Sequence, residues 1–314
     1  MHNNERFIEK YAIPLLATAI LAVLFLLYLG SMKSIKTDGI SQPLVEHNPF
    51  ENISLTAQSA IVWDIKHQRA LFELNASQVL PLASLTKVMT AITASELMPE
   101  YTVVPISKEF LAEEGDSGLH TNEKWALKDL LSFSLAVSSN DASRAVASVI
   151  GSLDSGAGDF TTGRTDFISR MNEKAEKMGL LNTVFLNDNG LDVDSYQSGG
   201  YGTARDVARM FEYALRHHPD IVEATRTSRT AFSSLDNIAH SARNTNMDID
   251  NIPGVLGSKT GYTSLAGGNL VIAFDSELGR PLVVSVLGST ADGRFSDVRA
   301  LVKASRDYMA QEHE

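Results

Sequence analysis

Strand-like runs lie in pairs near both ends of the chain. The runs 59–64 and 70–74 are rich in residues that favour β-strands, and the polar segment 66–69 separates them. The runs 269–274 and 281–287 have the same character and are joined by a short polar segment. Each pair predicts an antiparallel hairpin, because two β-rich runs separated by a few turn-forming residues fold back on each other.

Between the two hairpins, and again after the second one, apolar residues recur with the 3.6-residue spacing of helices. The predicted helices are 84–97, 127–136, 166–178, 203–217 and 292–309. The fourth begins with Thr203-x-x-Asp206, which is a capping pattern. Strands at both ends and helices between them predict a sheet closed by the amino- and carboxy-terminal segments, with helices packed on its faces. The expected fold class is therefore α/β (α+β).

The segment from Tyr11 to Gly30 contains twenty residues without a charge. As a helix it would span about 30 Å, the thickness of a bilayer core. It predicts one transmembrane anchor at 11–30, after a short cytoplasmic tail at 1–10. The polar, proline-containing segment 31–54 is predicted to be a tether between the membrane and the folded domain, which is expected at 55–314.

A cleavable signal peptide is the alternative for this segment. It fits less well, because signal peptides have an apolar region of roughly 7–15 residues and a small-x-small cleavage site. The residues Tyr28-Leu29-Gly30-Ser31 do not match such a site. Basic residues flank the segment on both sides, so the positive-inside rule does not decide its orientation.

Composition excludes several classes of function. The 314 residues are 44% hydrophobic, which is enough for a substantial core. There is no cysteine, which excludes disulfides, thiolate metal sites and cysteine nucleophiles. The formal net charge of -11 argues against a nucleic-acid partner, which would require a basic face.

Three short motifs carry the candidate chemistry. Ser84-Leu85-Thr86-Lys87 offers a hydroxyl nucleophile at a helix start and an amine on the same helix face, three residues on. Ser138-Ser139-Asn140 adds a hydroxyl and an amide, and Lys259-Thr260-Gly261 adds a cation beside a glycine. Together they provide what acyl transfer through a serine ester requires. A lysine acts as a base only when its pKa is lowered, which desolvation and a neighbouring cation can achieve. Lys259 is the expected neighbouring cation for Lys87.

Each motif alone also has a structural interpretation. Ser84 and Lys87 could be a capped helix start and a solvated lysine, Asn140 could cap the next helix, and 259–261 could be a turn. Their order, and their positions at the ends of elements, favour the joint catalytic interpretation.

The residues around these motifs resemble the low-molecular-mass penicillin-binding proteins, the D-alanyl-D-alanine carboxypeptidase family of serine peptidases. The likeness covers about 55–309 and implies a β-lactamase/transpeptidase-like fold, with an antiparallel sheet flanked by helices and a mainly helical subdomain. It rests on these segments: Leu82–Ala91, Ser138–Ala142, Met178–Asn187 with Gly190–Asp192, Thr203–Ala208 and Gly257–Thr263.

The resemblance implies a role for each matching residue. Ser84 would attack the carbonyl of the penultimate D-alanine with Lys87 as general base. Ser138 would relay a proton to the leaving amine, and Asn140 would orient the substrate amide. Lys259 would set the electrostatics of Lys87 and of the substrate carboxylate. The backbone N–H groups of Ser84 and Tyr262 would form the oxyanion hole.

The terminal carboxylate of the substrate would meet Thr260 and Arg294, the latter matching a family arginine. Arg205 matches another family position, where a structural salt bridge with a carboxylate is expected. The second motif departs from the family, since Ser139 stands where many relatives have glycine. We also expect no further β-rich domain and no carboxy-terminal anchor after the last helix, and relatives of that kind include enzymes that cut crosslinks. D,D-endopeptidase activity is therefore the alternative to D-alanyl-D-alanine carboxypeptidase activity.

The sequence argues against three rival functions. A class A β-lactamase would carry Glu-x-x-Leu-Asn, which is absent from this sequence. A membrane-tethered penicillin sensor would have lost catalytic groups, whereas all are present. A metal peptidase would need histidines at ligand spacing, and His217-His218 instead suits a helix end.

The resulting expectation is an extracytoplasmic, membrane-anchored bacterial peptidase. It would act on peptidoglycan stem peptides, be inhibited covalently by β-lactams and contact the bilayer through 11–30. No cofactor, metal or nucleic-acid partner is expected.

Overall fold

A computed structural model describes residues 13–31, 48–115 and 117–312 of the chain. The chain divides into two units, and the first contains helix α1, Ile13–Ser31. Judged on the described residues, no helix is both long enough and apolar enough to cross a membrane. The predicted tail at 1–10 lies outside the described residues, as do the start of the predicted anchor at 11–30 and most of the predicted tether at 31–54.

The second unit begins at Asn48 and contains all the strands of the described chain. They are β1 (Ser59–Asp64), β2 (Arg69–Leu74), β3 (Leu80–Pro81), β4 (Val103–Pro105), β5 (Lys124–Ala126), β6 (Val184–Phe185), β7 (Gly200–Gly202), β8 (Arg229–Ser233), β9 (Ala239–Arg243), β10 (Val255–Thr263), β11 (Gly267–Asp275) and β12 (Pro281–Ser289).

Seven α-helices of the described chain belong to this unit. They are α2 (Thr86–Leu97), α3 (Leu127–Val137), α4 (Asn140–Ser155), α5 (Phe160–Lys177), α6 (Ala204–His217), α7 (Pro219–Glu223) and α8 (Gly293–Gln311). A 3₁₀ turn, Ala83–Leu85, precedes α2 directly.

One five-stranded antiparallel sheet organises the unit, in the order β10-β11-β12-β1-β2. Both predicted hairpins are confirmed, since β1 pairs with β2 and β11 pairs with β12. Strand β1 also pairs with β12, with Ser59 opposite Leu287 and Asp64 opposite Leu282. The amino- and carboxy-terminal segments therefore close the sheet together, as the sequence predicts.

The two faces of this sheet bury different sets of side chains. Strand residues alternate between faces because the side-chain period of a strand is two. On β1, Ile61 joins the core formed with helices α2 to α6, whereas Val62 joins the core formed with α8. On β12, Val283 and Val284 divide in the same way. The sheet thus separates α8 from a larger helical layer, and this layer carries most of the candidate site.

The folded unit starts earlier than the predicted Leu55. Phe50 is buried and stacks on Phe72 of β2, with ring centroids 5.5 Å apart. The carboxylate of Asp297 on α8 accepts hydrogen bonds from the amides of Thr56 and Ala57, both at 3.0 Å. Aromatic packing and a buried carboxylate therefore fix the entering segment, which hydrophobic periodicity alone did not indicate.

The predicted helices differ from the observed ones mainly at their ends. Helix α5 begins at Phe160 rather than 166, because the Asp159 carboxylate caps it by accepting from the amides of Thr161 and Thr162. Thr203 caps α6 by accepting from the amide of Asp206, as predicted. The predicted ion pair of Arg205 is also confirmed, with Glu73 as its partner.

Candidate active site

Ser84 lies in the 3₁₀ turn that leads into α2. The preceding residue, Ala83, has φ +49°, a left-handed conformation that is strained for a residue with a Cβ. A Cβ added to Gly190 would lie 1.9 Å from the Ala83 carbonyl oxygen, so the 187–192 loop presses directly against this turn. The strained backbone and the close packing together fix the position of Ser84 at the start of α2.

Lys87 is the nearest functional group to the Ser84 hydroxyl. Its Nζ donates to Ser84 Oγ at 2.9 Å, to Asn140 Oδ1 at 2.7 Å and to the Asn189 carbonyl at 2.6 Å. The residue is only 1% exposed, which rules out a solvated lysine. Burial lowers the pKa of Lys87 to about 7, while the charges of Asp188 and Glu113 act to raise it. An appreciable fraction of this amine is therefore neutral near pH 7 and can accept a proton.

The second motif lies at the junction between α3 and α4. Ser138 ends α3 in a left-handed conformation, and Ser139 caps α4 by accepting from the amide of Ala142. Asn140 is thus not the cap of α4, and its side chain is available to bind Lys87. The Ser139 hydroxyl also lies 2.7 Å from that of Ser117, so both atoms are engaged in hydrogen bonds.

Lys259 stands on β10 and forms a second serine–lysine pair. Its Nζ donates to Ser138 Oγ at 2.8 Å and to the Thr260 carbonyl at 2.9 Å. Burial lowers the pKa of Lys259 well below its usual value, and the neighbouring charges of Lys87 and Arg294 lower it further. Desolvation, one of the two expected causes of a lowered pKa at Lys87, is confirmed as the main one, whereas the charge of Lys259, the other expected cause, is not among the main ones.

Strand β10 brings the third motif to the nucleophile. A Cβ on Gly261 would lie 2.9 Å from the Leu82 carbonyl and 3.3 Å from the Ser84 amide nitrogen, an approach that glycine permits. Strand β10 is an edge strand of the sheet. Tyr262 follows Gly261 directly on this strand, so the backbone of the third motif lies beside the turn that carries Ser84.

The remaining predicted site residues line the same strand. Thr260 Oγ1 donates to Thr245 Oγ1 at 2.6 Å. Arg294, near the start of α8, donates from its guanidinium to the Gly261 carbonyl at 2.7 Å. The Tyr262 side chain is 57% exposed and stands at the surface. The start of α2, the α3–α4 junction, β10 and the start of α8 thus meet in one region, which contains the predicted site residues Ser84, Lys87, Ser138, Asn140, Lys259, Thr260, Gly261, Tyr262 and Arg294.

Sequence reasoning missed the residues behind Lys87. Asp188 and Asn189 follow β6, and Arg164 lies on α5. Glu113 lies directly before Glu114, whose carbonyl accepts from Asn140. Arg164 Nε donates to Asp188 Oδ1 at 2.5 Å, and Asn189 Nδ2 donates to Glu113 Oε2 at 3.2 Å. Such residues carry no periodic signal, although the Asn187–Gly190 segment could have indicated a tight turn.

Chemically, the arrangement provides a serine hydroxyl beside a lysine of near-neutral pKa, and a second hydroxyl beside a second lysine. The first pair can generate an alkoxide-like nucleophile, and the second can supply a proton on the other side of a reacting bond. In the part of the chain that the structure describes, no group of three or more His, Asp or Glu residues is arranged to hold a metal ion.

The chain was compared with known proteins. The family model described as D-alanyl-D-alanine carboxypeptidase matches residues 44–291. The D-alanyl-D-alanine carboxypeptidase DacF of Bacillus subtilis is 30% identical over 258 residues, which are 80% of this chain and 60% of that protein. A D-alanyl-D-alanine endopeptidase of Pseudomonas aeruginosa is 30% identical over 223 residues, 69% of this chain and 67% of that protein.

A solved structure shares the fold. It is a penicillin-binding protein of Listeria monocytogenes in its cefotaxime-bound form, with a TM-score of 0.66 and 27% identity, covering 81% of this chain and 98% of that chain. The mixed α/β, penicillin-binding and transpeptidase-like fold is therefore confirmed for the second unit.

Proposed function

The chain belongs to the D-alanyl-D-alanine carboxypeptidase family, and on that premise we propose that it is a serine peptidase that removes the terminal D-alanine from peptidoglycan stem peptides. The observation that carries the proposal is the contact between the buried Lys87 amine and the Ser84 hydroxyl, at 2.9 Å. A buried lysine that is partly neutral near pH 7 is matched to taking a proton from a serine.

Acylation follows from this geometry. The neutral Lys87 amine accepts the Ser84 proton as Oγ forms a bond to the carbonyl carbon of the penultimate D-alanine. The negative charge that develops on the carbonyl oxygen is met by the backbone amides of Ser84 and Tyr262. Removing one such donor typically costs about 2.7–4 kcal/mol of transition-state stabilisation. The C–N bond then breaks, and the Ser138 hydroxyl, bonded to Lys259, passes a proton to the departing D-alanine amine. The proton that Lys87 took from Ser84 replaces the one that Ser138 gave up, so Lys87 is neutral again in the acyl-enzyme.

Deacylation reverses these roles with water. The neutral Lys87 amine takes a proton from the water while the water oxygen attacks the ester carbonyl. As the ester C–O bond breaks, Lys87 passes the same proton to Ser84 Oγ, which releases the acid and restores the free enzyme. Asn140 holds the Lys87 amine through Oδ1 during both steps, and its Nδ2 is anchored to the Glu114 carbonyl at 2.6 Å. Thr260, Arg294 and Lys259 would bind the terminal carboxylate of the substrate.

β-Lactams are the proposed covalent inhibitors. The Listeria structure was obtained in a cefotaxime-bound form, which supports the same chemistry at Ser84 of this chain. Release of the adduct should be slow, because the sequence lacks the Glu-x-x-Leu-Asn segment by which class A β-lactamases activate water. Glu113 does not replace that segment, since Arg144 pairs with its carboxylate at 2.5 Å.

Endopeptidase activity is the second candidate, favoured by the similarity to the Pseudomonas endopeptidase. Both activities attack the carbonyl of a D-alanine and differ in what leaves. Purified pentapeptide muropeptides and crosslinked dimers, incubated separately with the protein, distinguish the two by product mass. Loss of one D-alanine from the pentapeptide supports the carboxypeptidase, and monomers from dimers support the endopeptidase. If neither product forms, the proposed function is wrong.

Membrane attachment is proposed from the sequence. The uncharged run from Tyr11 to Gly30 would anchor the peptidase in the membrane. The extracytoplasmic orientation is inferred from the location of the substrate. Full-length protein should sediment with membranes and be released by detergent but not by salt, whereas a chain without residues 1–47 should remain in the supernatant. Full-length protein in the supernatant would contradict this assignment.

A further inference from the structure

Asp188 is a buried carboxylate behind the candidate base. Its side chain is fully buried, and Arg164 Nε donates to its Oδ1 at 2.5 Å. The other oxygen, Oδ2, has no hydrogen-bond partner among the described residues. Burial raises the pKa of Asp188, and the charge of Arg164 opposes that rise. Arg164 is partly exposed, but the Asp188 carboxylate is not, and a buried charge seldom stabilises a fold more than an apolar residue of the same size would. Its position beside a reactive lysine therefore favours a role in the chemistry.

The backbone beside Asp188 connects this ion pair to Lys87. The Asp188 carbonyl accepts from Thr90 Oγ1 at 2.6 Å, and Thr90 stands one helical turn after Lys87 on α2. The carbonyl of the next residue, Asn189, accepts from Lys87 Nζ at 2.6 Å. The ion pair therefore fixes a short segment of backbone against α2, and this segment directs a carbonyl at the amine.

A second carboxylate joins the same group. Glu113 pairs with Arg144 at 2.5 Å and accepts from Asn189 Nδ2 at 3.2 Å. Arg164 also lies near Glu113, with its Nη2 atom 3.9 Å from Glu113 Oε1. Arg164 thus contacts both carboxylates, and Asn189 connects both to Lys87. We refer to Glu113, Arg164 and Asp188 as the carboxylate cluster.

The cluster opposes the effect of burial on Lys87. Burial lowers the pKa of Lys87, and the negative charges of Asp188 and Glu113 keep it at about 7. A lysine with a much lower pKa would bind the Ser84 proton too weakly to act as a base. The other charged groups on the elements around the lysine are Asp141 and Arg144 on α4, Lys259 on β10 and Arg294 on α8.

We propose that Glu113, Arg164 and Asp188 are positioning residues for Lys87: the Arg164–Asp188 pair orients the Asn189 carbonyl toward the amine, and the two carboxylates keep negative charge behind it. This inference rests on the proposed function, because it concerns the base of the Ser84 acylation. None of the three residues contacts the Ser84 hydroxyl.

The test is the pH dependence of acylation by a fluorescent penicillin, measured on the full-length protein as a second-order rate constant from roughly pH 5 to 9. Neutral Lys87 predominates above its pKa, so the wild-type rate should rise with pH and level off above an inflection near 7. In Asp188→Asn a negative charge is lost and the pKa of Lys87 falls. The inflection should then move down by about one pH unit, and the plateau rate should fall about tenfold.

A second test variant keeps the inference testable if Asp188→Asn unfolds, and a control variant accompanies both. Glu113→Gln alters a carboxylate near the surface, and we expect its inflection to move in the same direction by a smaller amount. Asp154→Asn is the matched control, because Asp154 also pairs with an arginine of α5, Arg170, at 2.9 Å but outside the site. Its profile should coincide with that of the wild type.

The outcomes separate the two hypotheses. If Asp188→Asn or Glu113→Gln shifts the inflection downward while Asp154→Asn does not, the inference is supported. If folded variants lose rate equally at every pH without a shift, or lose none, the inference is wrong although the proposed function stands. If penicillin does not acylate the wild-type protein, the proposed function itself is wrong.

Discussion

Replacing Ser84 with alanine is expected to abolish release of D-alanine from pentapeptide muropeptides, with a loss of at least about 10⁴-fold in turnover. The reason is that no other hydroxyl stands within hydrogen-bond distance of Lys87 Nζ among the contacts of the described chain. The variant should fold normally, because the substitution removes one partly exposed oxygen. The measurement is the rate of D-alanine release at saturating substrate.

Ser95→Ala is the matched control for this prediction. Ser95 lies on the same helix, α2, at the end remote from the nucleophile. We expect its turnover to stay within about twofold of wild type, since substitutions away from the reacting groups usually change little. Removal of a nucleophile is expected to cost far more than tenfold in turnover. A Ser84→Ala protein that keeps about a tenth or more of the activity would therefore show that another group attacks the substrate.

Replacing Lys87 with methionine should slow acylation by about 10³-fold, within the range of general-base catalysis. Methionine has a similar shape but has no group that can accept the Ser84 proton. The folded state should not lose stability, because the substitution removes an amine whose burial is unfavourable to its charge. Acylation by penicillin and thermal unfolding, measured on the same preparation, test both statements.

Lys177→Met provides the comparison, since Lys177 is a largely exposed lysine on α5 and its loss should leave acylation unchanged. The double variant Ser84→Ala/Lys87→Met should turn over substrate no more slowly than Ser84→Ala alone, because residues that act as a unit have non-additive effects. Losses that multiply in the double variant would show that Lys87 acts independently of Ser84.

The sequence was sufficient to predict the outline of the fold. Both hairpins of the central sheet could be predicted from strand-like runs, because each is local and flanked by turn-forming residues. Strand β10 was not predicted, since its polar centre and glycines resemble a turn, and only pairing with β11 defines it. Helix α5 was predicted too short because its first turn contains threonines and a glycine rather than apolar residues.

The sequence indicated which motifs the fold brings together, but not the residues that contact them from behind. Ser84, Lys87, Ser138 and Lys259 stand in short motifs, and the fold brings the three motifs together. Desolvation of Lys87 was predicted as one cause of its lowered pKa, but the opposing charges of Asp188 and Glu113 were not, because no motif contains them. Glu113, Arg164 and Asp188 come from three separate segments, so only the folded chain shows that they meet behind the base.

Covalent trapping tests the central claim most directly, the claim being that Ser84 is the acylated nucleophile. The protein is treated with a penicillin and digested, and the adduct is located by mass spectrometry. We predict an adduct on the peptide that contains Ser84, and none on the Ser84→Ala protein. An adduct on a different residue, or an unmodified wild-type protein, would contradict the account.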